Sequence, residues 1–291
     1  MKKALINLGL IGVIIVAGSV AVQKIQRMDQ GVAESKFVEE PYTPQESRAN
    51  EQQKLIDSSR ELDWSDVVQL EVGDPKYTTP SKVVQGRAGF KYICFLPRGF
   101  GEEEAKQYPL IMMLHGSGAK GDDLSPLYNS PALEFLLRRD DSNFLYVAPL
   151  CPADHGWNSR ELNRFLGQIM RLYPVDKTRV YLTGISMGGH GTWSFASDFP
   201  NRFAAIAPFC GAGNPQKAKA RLRNKPILIV HGAKDDIVPV GRAYDMIYAL
   251  EPVNPNLKYT IFPDMGHGEI AGLWGRAVFY AWLLNQQNSN V

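Results

Sequence analysis

The sequence has neither a charge imbalance nor a repeat that would identify several common classes of protein. Its 32 Lys and Arg residues nearly balance its 30 Asp and Glu residues over 291 positions. No basic stripe with interleaved aromatic residues is present, and the charge balance argues against a protein that binds nucleic acid or another polyanion. The lack of a repeat period excludes solenoids and propellers.

Cysteine is also scarce. Cys94, Cys151 and Cys210 are the only three cysteines, and they lie far apart. They match no metal-ligand spacing, and an odd number cannot form a fully paired disulfide framework. Cys94 and Cys210 lie in apolar, strand-like runs, so we predict that they are small buried hydrophobic residues. The sequence predicts no metal site and no cofactor.

A long uncharged apolar run occurs at the N-terminus, where residues 4–22 follow Lys2 and Lys3. As a helix this run would span about 28 Å, close to the thickness of the bilayer hydrocarbon core. Ser19-Val20-Ala21 also has the spacing of a signal-peptidase site, so residues 1–22 are predicted to be a membrane anchor or a cleaved signal peptide. Both alternatives predict export, with contact to the membrane through this segment if it stays uncleaved.

Two regions of different composition follow the apolar run. Residues 23–63 are polar, and Thr43-Pro44-Gln45-Glu46 resembles a helix capping box, which predicts an exposed helix over 43–62 within a spacer. Residues 64–291 alternate apolar runs with amphipathic patterns. This alternation predicts one α/β catalytic domain whose mostly parallel sheet has helices on both faces, with ligands bound beyond the carboxyl ends of the strands.

The predicted elements of this domain follow from the apolar periodicity. The strands are 67–72, 82–84, 91–96, 110–114, 144–149, 180–183, 204–209, 227–230 and 259–262, the first three antiparallel. The helices are 130–139, 160–173, 189–197, 240–250 and 270–284.

Gly184-Ile185-Ser186-Met187-Gly188 follows one predicted strand and precedes a helical pattern. G-x-S-x-G between a strand and a helix is typical of a nucleophile elbow, a sharp turn that exposes the serine hydroxyl above the sheet. We therefore predict Ser186 as a nucleophile. A serine hydroxyl needs a base to accept its proton, and the base needs an acid to orient it.

Three histidines follow Ser186. His190 belongs to the next helix and should point away from the hydroxyl, whereas His231 ends a strand and should organise the loop after it. His267 follows the last strand between two glycines, so we predict His267 as the base.

The acid should follow the strand at 227–230. Asp235 and Asp236 are adjacent there, and Asp264 is a third candidate. One of the adjacent pair should face the imidazole, and the other should be a solvated turn residue. The residues themselves leave this choice open.

Gly116, Gly118 and Gly121 satisfy the G-x-G-x-x-G pattern of a dinucleotide-binding turn, but the loop does not open a helix and no acidic residue ends the next strand. No Lys-Ser or Lys-Thr pair follows, which argues against a phosphate-binding loop. His115-Gly116 instead fits the loop that supplies one donor to an oxyanion hole. We predict the N–H groups of Ser117 and Met187 as the two donors.

Five segments, HGSGAKGDD, PLCP followed by GWNS, VDKTRVYLTGISMGGHGTW, FAAIAPFCG and HGAKDDIVPV, resemble in order the serine esterases formerly described as predicted peptidases. That branch is similar to feruloyl esterases, acetylxylan esterases and polyhydroxybutyrate depolymerases. The resemblance covers about residues 90–284 and implies an α/β-hydrolase fold and a serine carboxylic-ester hydrolase. In the HG-x-x-D-x-x-VP segment the family's acid is the fifth residue, which implies Asp235. The spacer has no counterpart in the family.

The residues say less about the substrate. Trp157 either lines the site, where it would stack on an aromatic acyl or sugar ring, or only packs its own loop. We expect a small-molecule or glycan-linked ester, because an alkoxide leaves more easily than an unprotonated amine. The alternatives are a small serine peptidase and a noncatalytic member of the fold that binds glycans or lipids. A nicotinamide oxidoreductase ranks last.

Overall fold

The computed structural model describes residues 52–55, 62, 64, 81–138 and 142–289. The N-terminal segment 1–22, most of the spacer and the predicted strand at 67–72 lie outside these residues. Residues 52–55, which belong to the helix predicted over 43–62, are helical. Among the residues described, none of the helices has the length and apolar character needed to cross a membrane.

Eight strands form one sheet in the order β1-β2-β4-β3-β5-β6-β7-β8. β2 is antiparallel to both of its neighbours, and the remaining pairs are parallel. The prediction of a mostly parallel sheet with antiparallel early strands is therefore confirmed for β1 and β2. The strands are β1 Lys82–Ala88, β2 Phe90–Leu96, β3 Tyr108–Leu114, β4 Leu145–Pro149, β5 Val175–Ile185, β6 Ala205–Phe209, β7 Ile227–Gly232 and β8 Leu257–Phe262.

Apart from the helical residues 52–55, the described α-helices lie between and after these strands. They are α1 Ser125–Tyr128, α2 Pro131–Arg138, α3 Ser159–Leu172, α4 Met187–Asp198, α5 Pro215–Arg221, α6 Gly241–Leu250 and α7 Ala277–Leu284. The sequence does not predict the short helices α1 and α5, because each buries a single residue and so shows no apolar helical periodicity.

The helix predicted over 270–284 is wrong in its first half. Residues Glu269–Gly275 form a 3₁₀ helix, and Arg276 has an extended backbone with φ −107° and ψ 126° before α7 begins. Gly272 and Gly275 explain the interruption, because each glycine costs about 1 kcal/mol relative to alanine inside a helix. The apolar residues of this stretch are buried without belonging to one continuous helix.

The sheet buries a hydrophobic cluster on each face. Because side chains alternate along a strand, β3 directs Leu110, Met112 and Leu114 into one cluster and Ile111 and Met113 into the other. Every residue of β3 is buried, as expected for a central strand covered on both faces. The continuous apolar run in the sequence thus marks a strand at the centre of the domain.

Helix α3 shows how the sequence fixes where a loop enters a helix. The Asn158 side chain caps the helix, since its Oδ1 accepts hydrogen bonds from the N–H groups of Arg160 at 3.0 Å and Glu161 at 3.2 Å. The buried residues of α3 have helical spacing and pack on the sheet: Leu162, Phe165, Leu166 and Ile169. The cap therefore holds the preceding residue, Trp157, near the sheet edge.

The strand register brings the predicted site loops to one edge of the sheet. Leu114 at the end of β3 pairs with Gly184 of β5, and Ile185 pairs with Phe209 of β6. Gly232 at the end of β7 pairs with Phe262 at the end of β8. The chain therefore leaves these strands at one common edge, where parallel α/β sheets bind their ligands.

Candidate active site

Ser186 occupies a strained turn between β5 and α4. Its φ of 56° makes it one of two non-glycine residues with positive φ in the described part of the chain. Such a conformation costs on the order of 1–3 kcal/mol and persists only where surrounding contacts fix it. The Ser186 N–H donates a hydrogen bond to the Phe209 carbonyl oxygen at 3.0 Å, which ties the turn to β6. The strand–turn–helix context predicted from the sequence is present.

The two glycines of G-x-S-x-G allow β5, the turn and β3 to approach closely. A Cβ atom on Gly188 would overlap the carbonyl group of Leu114. A Cβ atom on Gly184 would overlap the Gly188 carbonyl and lie 2.8 Å from the Leu114 oxygen. These overlaps are with backbone atoms, which cannot move aside as a flexible side chain can. The spacing of the motif is therefore a steric requirement of this turn.

The loop after β3 lies directly against this turn. A Cβ atom on Gly116 would be 3.6 Å from the Ser186 Cβ. Met187 is the first residue of α4 and Ser117 the first of a 3₁₀ turn, so neither N–H has an acceptor within its own helix. Both N–H groups are thus free of the helical ladder next to the serine.

His115 fixes the shape of this loop, a role that the sequence analysis did not identify. The buried ring accepts a hydrogen bond at Nε2 from the Cys151 N–H at 2.9 Å, so Nδ1 carries the proton and donates to the Gly116 carbonyl at 2.7 Å. The Trp157 indole N–H donates to the His115 carbonyl at 3.1 Å. Burial lowers the pKa of His115, because the charged form is disfavoured away from water. A neutral ring therefore holds the loop.

Asp235 and His267 are in direct contact, with 2.7 Å between Oδ2 and Nδ1. Asp236 is exposed, and Asp264 is exposed and paired with Lys234 at 2.8 Å. Of the three candidate acids, Asp235 is the one that meets the imidazole of His267.

Two opposing effects act on the Asp235 carboxyl. Burial raises its pKa, but hydrogen bonds from His267 and from the Val238 and Ile237 N–H groups outweigh burial and hold the pKa below its usual range. The group is therefore a carboxylate at neutral pH, as an acid that orients an imidazole must be.

His231 also contacts the Asp235 carboxylate, with its Nε2 3.2 Å from Oδ2. The same nitrogen lies 2.8 Å from the Val238 carbonyl, which confirms that His231 organises the loop after β7. Its side chain is fully buried, whereas that of His267 keeps 17% of its surface exposed. Of the two rings, only His267 has a surface from which a substrate can be reached.

Within the described part of the chain, Cys210, His231 and Asp235 form a group whose ligand atoms lie within 4.8 Å of one another, close enough to hold a metal ion. His231 Nε2 already contacts the Val238 carbonyl, and Asp235 accepts hydrogen bonds on both oxygens. The polar atoms of His231 and Asp235 are therefore already engaged in contacts within the protein.

The prediction that Cys94 and Cys210 are buried is confirmed, and Cys151 is buried as well.

Ser186 opens into a pocket of about 430 Å³ that runs along the start of α4. Its lining is Gly156, Trp157, Ser186, Met187, His190, Gly191 and Ser194. The Trp157 ring lines this pocket and also packs against Phe90 and His115. His190, expected to point away from the hydroxyl, nevertheless lines the pocket, with Nδ1 2.6 Å from the Ser186 main-chain carbonyl.

A second pocket, of about 280 Å³, lies between the β1–β2 turn, the loop after β4 and α3. It contains none of the predicted site residues, so the chemistry points to the pocket at Ser186.

Residues 160–271 match the dienelactone hydrolase family. The chain is also similar to a bifunctional acetylxylan esterase/xylanase, XynS20E, of Neocallimastix patriciarum, with 31% identity over 141 residues, 46% of this chain and 20% of that protein. It is 28% identical over 175 residues to the poly(3-hydroxyoctanoate) depolymerase of Pseudomonas fluorescens, covering 48% of this chain and 60% of that protein. The chain thus spans less than two thirds of the length of these relatives. The predicted resemblance to such esterases and depolymerases is confirmed.

Among solved structures, a thermostable esterase matches with a TM-score of 0.60 and 24% identity, over 72% of this chain and 63% of that one. At this level of identity the likeness concerns the fold. Together with the sheet order and the helices on both faces, it confirms the predicted α/β-hydrolase fold.

We predict that Gly188→Ala lowers the free energy of unfolding by about 1–3 kcal/mol or more, because the added methyl overlaps the Leu114 carbonyl. Gly118→Ala is the matched control, since a Cβ atom there meets nothing within 4 Å, and it should change stability by less than about 0.5 kcal/mol. Urea unfolding of the two purified variants measures the difference. Equal unfolding midpoints for both would contradict the steric role of Gly188.

We predict that the free energy of unfolding falls as the pH drops below about 6.5. The pKa of His115 in the folded protein lies below that of the unfolded chain, so between the two values the unfolded chain binds more protons. The stabilising effect is complete above the unfolded value and is lost as the pH falls. Urea unfolding at pH 7.5 and 5.5 should show a smaller loss in His115→Asn, which does not titrate, than in the wild type. An equal loss in both would exclude a contribution from His115.

Proposed function

We propose that the chain is a serine carboxylic-ester hydrolase that acts through an acyl-enzyme, with Ser186 as nucleophile, His267 as general base and Asp235 as the orienting acid. The observation that carries this proposal is the 2.7 Å contact between His267 Nδ1 and Asp235 Oδ2 at the sheet edge that also holds the Ser186 turn. The similarity of the chain to esterases and to the dienelactone hydrolase family supports ester hydrolysis as the reaction class.

The contact with Asp235 defines what each imidazole nitrogen does. A carboxylate only accepts, so Nδ1 of a neutral His267 carries the proton and Nε2 is left as the base. Nε2 takes the proton of the Ser186 hydroxyl while Oγ attacks the ester carbonyl carbon. The tetrahedral intermediate then expels the alcohol, which receives that proton from Nε2. Water, deprotonated by the same nitrogen, then attacks the acyl-enzyme. The second tetrahedral intermediate breaks its bond to Oγ, which takes the proton back from Nε2, and the carboxylic acid leaves with Ser186 regenerated.

The negative charge on the carbonyl oxygen needs donors that are already in position. We propose the N–H groups of Met187 and Ser117, each at the start of its helical turn and without an acceptor inside it. His115 supports this function indirectly, because its two hydrogen bonds hold the loop that carries Ser117.

The pocket at Ser186 favours small acyl or alcohol groups. Its volume of about 430 Å³ lies in the usual range of small-molecule sites. Trp157 offers an aromatic surface, and His190 and Ser194 add polar atoms that hydroxyl groups of a substrate can contact. We therefore propose a small-molecule or glycan-linked ester as substrate. A small serine peptidase would use the same groups on an amide.

Activity assays should separate these alternatives. The substrates are p-nitrophenyl acetate, p-nitrophenyl butyrate, longer acyl esters, methyl ferulate and aminoacyl anilides. Hydrolysis of at least one ester class, with no turnover of the anilides, is the expected result. Anilide turnover without ester turnover would favour the peptidase, and no turnover at all would favour a noncatalytic binding protein.

Within the same assay, Ser186→Ala and the double variant Ser186→Ala/His267→Ala should lose similar activity, on the order of 10⁴- to 10⁶-fold in kcat, because the groups act as a unit. Asp235→Asn should cost about 10⁴-fold, since an amide no longer selects the required tautomer. Asp236→Asn is the matched control, because Asp236 is exposed, and it should retain wild-type activity. A folded, inactive Asp236→Asn beside an active Asp235→Asn would overturn the acid assignment, and an active Ser186→Ala would overturn the mechanism.

We also propose that the catalytic domain acts outside the cytosol, on the basis of the uncharged run at residues 4–22 after two lysines. Fractionation of the native protein with sequencing of its mature N-terminus tests this. An anchored protein keeps the run and pellets with membranes, whereas a cleaved one begins shortly after residue 21. An intact N-terminus on a cytosolic protein would refute both.

A further inference from the structure

The Asp235 carboxylate receives more contacts than the orientation of one imidazole requires. Its side chain is fully buried. Oδ1 accepts hydrogen bonds from the N–H groups of Ile237 at 3.0 Å and Val238 at 2.8 Å. Oδ2 lies 2.7 Å from His267 Nδ1 and 3.2 Å from His231 Nε2. Both oxygens are therefore held from more than one side.

The contacts of His231 define its protonation. A carbonyl oxygen only accepts, so the 2.8 Å contact with the Val238 carbonyl means that His231 Nε2 carries a proton. The same nitrogen lies 3.2 Å from Asp235 Oδ2, so its proton faces the carboxylate as well as the carbonyl. The other ring nitrogen, Nδ1, is buried without a hydrogen-bond partner, and burial lowers the pKa of His231. The ring is thus a neutral donor to the carboxylate rather than the cation of an ion pair.

Cys210 reaches the same carboxylate from the loop after β6. It is the second non-glycine residue with positive φ in the described chain, at 45°, and its N–H donates to the Val230 carbonyl at 2.9 Å. The thiol sulfur lies within 4.8 Å of a carboxylate oxygen of Asp235 and of a ring nitrogen of His231. Burial, followed by the neighbouring carboxylate, raises the thiol pKa well above its usual value, so the sulfur stays protonated beside the carboxylate.

We propose that His231 and Cys210 are positioning residues that hold the Asp235 carboxylate and thereby the His267 imidazole in the orientation needed for proton transfer. This inference rests on the proposed function. Two main-chain donors hold Oδ1, and His231 holds Oδ2, the oxygen that meets His267. Because both added donors are neutral, they restrain the carboxylate without cancelling the charge that stabilises a protonated His267.

A purely structural role is the competing explanation, since His231 also ties down the Val238 carbonyl. The two explanations differ in what they predict for catalysis. A structural residue affects how much enzyme is folded, whereas a positioning residue affects kcat and its pH dependence in enzyme that is folded. Neither residue lines the pocket at Ser186, so the KM should not depend on them.

The first test compares His231→Leu, which removes the donor at similar volume, with His231→Gln, which keeps an N–H donor, both in the full-length protein. With p-nitrophenyl acetate we expect His231→Leu to lower kcat on the order of 10- to 100-fold with the KM within about twofold of wild type. The acid limb of the pH profile should move up by roughly 0.5 pH unit, because a carboxylate with fewer donors stabilises the protonated imidazole more strongly. His231→Gln should recover most of both effects.

Lys234, Asp264 and Glu269 also carry charge near the His267 loop, and they are unchanged in these variants. A difference in pH profile between His231→Leu and His231→Gln is therefore caused by the loss of the side-chain N–H donor at position 231. Wild-type kcat and pH profile in a folded His231→Leu would overturn the proposal, as would equal losses in both variants.

Cys210 gives a second test that remains decisive if His231→Leu does not fold. Cys210→Ala removes the thiol donor and should lower kcat, whereas Cys210→Ser keeps a donor and should restore it. Equal activity of the two variants would overturn the role of Cys210. Ser186→Ala is assayed alongside: if it is active, the proposed function fails, and if it is inactive while the His231 and Cys210 variants behave as wild type, only the positioning role fails.

Discussion

The strained backbone of Ser186 is the constraint on which the arrangement of the site depends. A serine with φ of 56° keeps that conformation only because its neighbours leave no alternative. Gly184 and Gly188 let the turn press against the end of β3, and a hydrogen bond to Phe209 ties the turn to β6. The same close approach brings the loop of Gly116 against Ser186, so one local strain sets the relative positions of three strand ends.

Around this turn, neutral histidines are used as structural hydrogen-bonding groups. His115 donates and accepts across two loops, and His231 donates to the Val238 carbonyl and lies 3.2 Å from the Asp235 carboxylate, while burial lowers the pKa of both rings. His267 differs from them because part of its ring stays exposed. Burial thus separates histidines that hold the site from the one proposed to react.

Prediction from the sequence was most successful where a residue pattern has one physical meaning. Continuous apolar runs predicted the buried parallel strands, because a strand covered on both faces has no polar side. The run at 270–284 fits a helical period and so predicts one helix, but Gly272 and Gly275 interrupt it and the structure has a 3₁₀ helix followed by α7. The sequence does not predict the role of His115, because its partner Cys151 lies 36 positions away in the loop after β4. It predicts that His231 organises its own loop but not that the ring also contacts Asp235. For His115, the local signal in the sequence is its position directly before Gly116, at the start of the loop after β3.

The sequence by itself determined the order of the candidate catalytic residues along the chain and the strand that each one follows. G-x-S-x-G follows one strand, a histidine follows the last strand, and an aspartate follows a strand between them. These are local patterns, and local sterics fix what they can form. The residues by themselves leave Asp235 and Asp236 equivalent, although the family resemblance implies Asp235. Only the tertiary structure shows that Asp235 meets the imidazole, because Asp235 is buried and Asp236 is exposed to water. The deciding contact joins the loop after β7 to the loop after β8 across 32 positions of sequence, so no local pattern encodes it.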